Sequence, residues 1–170
     1  MMPPGVRKLM LTVHVTASVG WLGAIAAYLA LNVPALASAN EQTVRAAYLM
    51  MDVVMWYALL PLALASLATG ILQALGTPWG LFRHYWVVIS LGVTTFAFVI
   101  LVLHLPAVAD LSAVAADPQA DVSSLDGDLF HSVGGLLVLL VPLALNIYKP
   151  RGLTRYGWRR ARERRTDSTT

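Results

Sequence analysis

Residues 85–105 read YWVVISLGVTTFAFVILVLHL, with no Asp, Glu, Lys or Arg and a single histidine, His104. A helix needs about 20 mainly apolar residues to cross the hydrocarbon core of a bilayer. This stretch meets that length without a formal charge. Three more apolar runs surround it, at about residues 9–31, 47–75 and 129–148. The chain is 58% hydrophobic and only 12% charged, whereas a soluble domain carries about 25% charged residues. The expected fold is therefore all-α: a polytopic membrane protein built as a four-transmembrane-helix bundle. Residues 1–148 form the membrane domain and residues 149–170 a basic tail.

Charge orders the four runs. Arg7 and Lys8 precede the first, Arg83 lies between the second and third, and eight basic residues follow the fourth, from Lys149 to Arg165. The other two connections hold Arg45 against Glu41, Asp110, Asp117, Asp121, Asp126 and Asp128. Eleven of the twelve basic residues thus share one side if every run spans. The positive-inside bias then places both termini in the cytoplasm, and the expected location is a cytoplasmic (inner) membrane. Arg7, Lys8 and the later Ala37-Ser38-Ala39 resemble a cleavable signal. The apolar run between them, however, exceeds the 7–15 residues or so of a signal core.

Prolines and loops give local expectations. Pro34 ends the first helix near Asn32, and Pro61 kinks the second. The acidic loop at 106–128 holds a short surface helix near 107–116. The basic tail is a topology signal that also suits anionic lipid, and no fold here supports nucleic-acid binding.

The chain has no cysteine. Disulfides, thiolate metal sites and covalently attached haem are excluded. Any metal or cofactor must be held by His, Asp, Met, Tyr or backbone. Four ionisable residues lie within the apolar runs: His14, Asp52, His104 and His131. Such groups are costly in a membrane and mark functional positions by default. At about 100° per residue, His14, Ser18, Trp21, Ile25 and Tyr28 share a helix face, as do Tyr48, Asp52, Trp56, Ala63 and Ser66. These faces turn inward, because lipid does not accept them. Asp52, His104 and His131 come from three helices at a similar depth near the outer side, a mixed oxygen and nitrogen set suited to zinc or copper. His104 and His131 also suit a haem clamp, with Gly134 or Gly135 making room and Trp21, Tyr28 and Trp56 packing on the ring. His14 would serve the inner half. His84 lies about 200° around the helix from His104, so it reads as interfacial. Each group also has a plain reading as an internal hydrogen bond or ion pair. Met50, Met51 and Met55 read as packing.

His14, Trp21 and Gly23 form H-x6-W-x-G on the first membrane helix. This pattern resembles the first-helix signature of the CopD-like superfamily, which includes copper-resistance membrane domains and HemJ-type proteins. The likeness is to a bacterial four-helix branch and extends through Val44–Met51, Leu75–Trp86 and Tyr148–Gly157. It implies a haem-associated role for His14 and a link to copper. HemJ-type enzymes use a lysine on the third helix, where this chain reads Trp86-Val87-Val88-Ile89-Ser90. The resemblance therefore does not extend to their oxidase activity.

Three functions follow as expectations. One is a b-type haem protein passing electrons, with a quinone or another redox partner. Another is a protein that binds or transports divalent copper or zinc, as a homo-oligomer if it transports. The last is a non-catalytic membrane scaffold or subunit. No nucleophile–base arrangement or phosphate-binding loop marks the chain as a particular enzyme.

Overall fold

The computed structural model describes residues 2–167, with side chains to Glu163. Met1, residues 168–170 and the side chains of 164–167, Arg164 and Arg165 among them, lie outside the described residues. Four helices are long and apolar enough to cross a membrane: α1 (Pro4–Ala37), α2 (Glu41–Gly76), α3 (Tyr85–Ala116) and α4 (Leu129–Tyr148). Helix α5 (Arg155–Asp167) follows in the tail. The described residues contain no strand, only an isolated bridge between His84 and Leu153.

The bundle is an up-and-down ring. Helix α1 packs on α2 and α4, and α3 packs on the same two neighbours. Trp21, Tyr28, Tyr48, Met51, Met55, Ala63, Val108 and Leu139 fill its centre. Large apolar side chains such as Phe96 and Leu103 point outward. That is expected where the solvent is lipid, because helices satisfy their backbone groups internally and leave the side chains to meet the acyl chains. The protein is membrane-embedded. One end of the bundle gathers the basic residues and the other the acidic loop.

The helices run further than the sequence reading placed them. Helix α1 continues through Pro34 to Ala37, rather than ending near Asn32. A proline removes one backbone donor, and in the last turn that loss falls beside carbonyls already lacking helical partners. Helix α3 passes through Pro106, so the expected surface helix at 107–116 is its continuation. Helix α2 starts at Glu41, where the Asn40 side chain accepts from the amides of Gln42 and Thr43 at 2.9 and 3.3 Å. Such an N-cap satisfies donors that the first turn leaves free.

A wide turn precedes Pro61 on α2. Residues Met55–Leu59 form a π-helical turn, in which the Leu60 amide reaches back to the Met55 carbonyl. The extra residue shifts the register of everything after it. Trp56, expected on the inward face with Asp52, is 47% exposed, and Tyr57 is 82% exposed.

The tail is anchored to the basic end. Lys149 ends α4 in the left-handed region at φ 44°. Thr154 then donates its amide to the Arg83 carbonyl at 2.9 Å and its hydroxyl to the Phe82 carbonyl at 2.5 Å. Gly157 lies directly against the Arg83 carbonyl, leaving no space for a β-carbon. Helix α5 is therefore docked on the α2–α3 connection.

Candidate metal centre

The acidic-end site is built where the loop re-enters the bundle. Gly127 adopts φ +71°, and a β-carbon there would collide with Leu36. This turn delivers Asp128 to the start of α4. An aspartate at that position ordinarily caps its own helix, but the Asp128 side chain makes no cap hydrogen bond and points into the bundle instead. Asp128 is 5% exposed.

Two residues one turn apart on α1 hold it. The Tyr28 hydroxyl donates to Asp128 Oδ2 at 2.7 Å. Asn32 Oδ1 accepts the Asp128 backbone amide at 2.9 Å, and Asn32 Nδ2 donates to the Tyr28 carbonyl at 3.2 Å. Ser132 donates its hydroxyl to the Asp128 carbonyl at 2.7 Å. The buried carboxylate is fixed from both ends.

Two imidazoles complete the group. His104 Nε2, from α3, lies 2.8 Å from Asp128 Oδ2. The nitrogen is buried, and its approach is not aligned as a hydrogen bond. His131 Nδ1, one turn along α4, lies 3.0 Å from Asp128 Oδ1, and its side chain is 45% exposed. The two rings stack with centroids 3.8 Å apart and planes 24° from parallel. One ligand atom from each of His104, Asp128 and His131 falls within 4.8 Å of the others.

This set brings together His104 and His131 as the sequence suggested, with a different carboxylate. Asp52 is not in the group. It sits on α2, with Oδ1 buried and without a hydrogen-bond partner among the described residues. The two imidazoles lie directly on one another, with no space between the rings. Gly134 faces open space, and Gly135 makes ordinary contact with Ile25 at 3.8 Å.

His14 lies towards the other end, and Trp21 in the middle of the bundle. His14 Nδ1 is 3.1 Å from both the Ser66 carbonyl and the Thr69 hydroxyl. Its ring rests on Gly70, where a β-carbon would meet Cε1 at 3.0 Å. Trp21 is buried, and its Nε1 has no partner among the described residues. Both residues border a cavity of about 720 Å³ at the basic end. His84 belongs to neither group: its Nδ1 lies 2.9 Å from the Trp79 carbonyl, and its ring meets Trp79 edge-on.

Sequence reasoning missed Asp128 by counting it with the acidic loop. The available signal was spacing, since Asp128 and His131 stand three residues apart and so share a helix face. The Tyr28 and Asn32 pair repeats at four residues on α1, the same kind of signal. No protein-family model, curated protein or solved structure matches the chain.

Proposed function

We propose that this is a membrane protein that binds one divalent transition-metal ion, zinc or copper, through His104, Asp128 and His131. The observation that carries the reading is the convergence of two imidazoles and a buried carboxylate from separate positions within 4.8 Å. Imidazole and carboxylate are the ligands these ions take when thiolate is absent, with bonds of about 2.0–2.2 Å. Three protein ligands leave a fourth position for water or an exchanging ligand. The half-exposed His131 supplies the route in. Tyr28, Asn32 and Ser132 act as the outer shell that orients the carboxylate, a layer that ordinarily tunes metal affinity. The charge asymmetry supports an arrangement in which this end faces away from the cytoplasm. Metal would then arrive across the acidic loop.

The test is metal content and titration of the detergent-purified protein. Stoichiometric zinc or copper, lost together in Asp128→Asn and His104→Ala but kept in Asp52→Asn, is the expected result. Absence of binding in the parent protein under metal-replete conditions rejects the reading.

A further inference from the structure

The cavity at the basic end is independent of the metal centre, and its chemistry is different. All four membrane helices contribute to its wall, which is mostly apolar, with Leu22, Leu67, Leu91, Leu139 and Leu143 among the lining residues. It is not sealed from the bilayer. Leu11, Val15 and Val19 on α1 and Ile147 on α4 line it and are 51%, 49%, 56% and 66% exposed. Its volume of about 720 Å³ falls in the range of ligand pockets, about 300–1,000 Å³. A molecule reaching it from this side must be lipophilic.

One end of the cavity is cationic. Arg7 and Lys8 at the start of α1 and Lys149 at the end of α4 all line it. None of the three forms an ion pair with a carboxylate among the described residues. Lys149 Nζ instead lies 5.8 Å over the Trp79 ring. Topology alone asks only that basic residues stay on one side of the membrane. It does not ask that two helix ends distant in sequence bring theirs to the rim of one apolar cavity.

We propose that this cavity holds an anionic phospholipid of the adjoining leaflet, with its phosphate at Arg7, Lys8 and Lys149 and an acyl chain along the leucine wall. Basic pockets between membrane helices at the basic face are the known chemistry for acidic headgroups. A zwitterionic lipid would leave the three like charges without a neutralising partner. The interaction is worth about fivefold in relative binding per basic side chain, the equivalent of about 1 kcal/mol each.

Tryptophan quenching by brominated lipids reads this site. Five tryptophans occur in the chain, and Trp21, Trp79 and Trp86 border the cavity. A Trp56→Phe, Trp158→Phe background leaves those three as reporters. In phosphatidylcholine vesicles, a minor fraction of brominated phosphatidylglycerol is expected to quench several-fold more than the same fraction of brominated phosphatidylcholine. Arg7→Gln, Lys8→Gln and Lys149→Gln together should abolish the difference. Arg159→Gln, Arg160→Gln and Arg162→Gln, removing equal charge from α5, should preserve it. Leu143→Phe fills the wall with the charges intact, and it should lower quenching by chain-brominated phosphatidylglycerol. Equal quenching by the two lipids overturns the proposal, as does a preference that follows α5 instead of the rim. A Soret band in the purified protein, with no lipid preference, assigns the cavity to haem and also overturns it. Metal content is measured separately, so this outcome is distinct from that of the metal centre.

Discussion

Asp128→Asn keeps the shape of the side chain and removes its charge, so it isolates what the carboxylate contributes. Asp128 Oδ2 receives the Tyr28 hydroxyl at 2.7 Å and stands 2.8 Å from His104, while Oδ1 faces His131 at 3.0 Å. An asparagine offers one acceptor oxygen in place of two, and its amide must point donors at one of these neighbours. Hydrogen bonds to a charged acceptor contribute about 1.5–3 kcal/mol each. An oxygen turned to Tyr28 keeps a neutral bond worth about 0.5–1.5 kcal/mol, so the metal-free protein should lose about 1 kcal/mol there, read as a lower thermal midpoint in detergent. The effect on metal should be larger. Changes to outer-shell partners cost about 10–100-fold in affinity, and removing an anionic ligand should exceed that. Calorimetric or competition titration with zinc and copper gives the dissociation constants. Affinity within about threefold of the parent, below even the outer-shell range, would refute the assignment of Asp128 as a ligand.

Other perturbations separate the parts of the architecture. Tyr28→Phe removes one outer-shell bond, so metal affinity should fall about 10–100-fold with stoichiometry kept; competition titration checks this. Arg45→Ala removes the guanidinium bonds to the Ala115, Asp117 and Ala120 carbonyls at 3.1, 2.6 and 2.6 Å. Hydrogen exchange should quicken through residues 117–124 and stay unchanged in α4. Asp121 accepts from the Ser123 hydroxyl and amide at 2.6 and 2.9 Å, and these bonds hold its carboxyl below its ordinary value. A depressed value means that the turn's support is complete above the ordinary aspartate range and is lost as pH falls through the lowered value. The Ser123 amide resonance should report that transition by NMR. Gly157→Ala places a β-carbon against the Arg83 carbonyl. The tail should undock, with faster limited proteolysis between Lys149 and Arg155 and the membrane bundle intact.

The bundle was legible because its signal is long. Runs of apolar residues bounded by loops of unlike charge define spans whatever the tertiary detail. The helix ends were less legible, since Pro34 and Pro106 are ordinary stop signals and the helices continue through both. His104 and His131 were found by type and depth. Their carboxylate partner was not, because depth estimated from helix length favoured Asp52 and gave no account of a loop residue turned inward by Gly127. The stacking of the two rings was beyond any spacing argument, as it depends on how α3 and α4 approach each other. Trp56 was misplaced because the inward face of this half runs through Val44, Ala47, Tyr48, Met51 and Met55, and Trp56 lies about 100° beyond Met55.

The wide turn at Met55–Leu59 gives α2 two registers along one axis. Its acidic-end half is indexed from Asn40, and its basic-end half is indexed from the proline. The Ser66, Thr69 and Gly70 contacts to His14 belong to the second index. Deleting a single residue from Met55–Leu59 would turn the Leu60-to-Met55 hydrogen bond into an ordinary helical one and leave both halves facing as they do. Ser66 would stay on His14, whereas deleting a residue from a regular turn between Asn40 and Val54 would carry it away by about 100°. The first-helix histidine thus keeps its partner through a change in the wide turn that it would not survive elsewhere, so chain length at Met55–Leu59 should be more tolerant of a one-residue deletion than the regular turns before it.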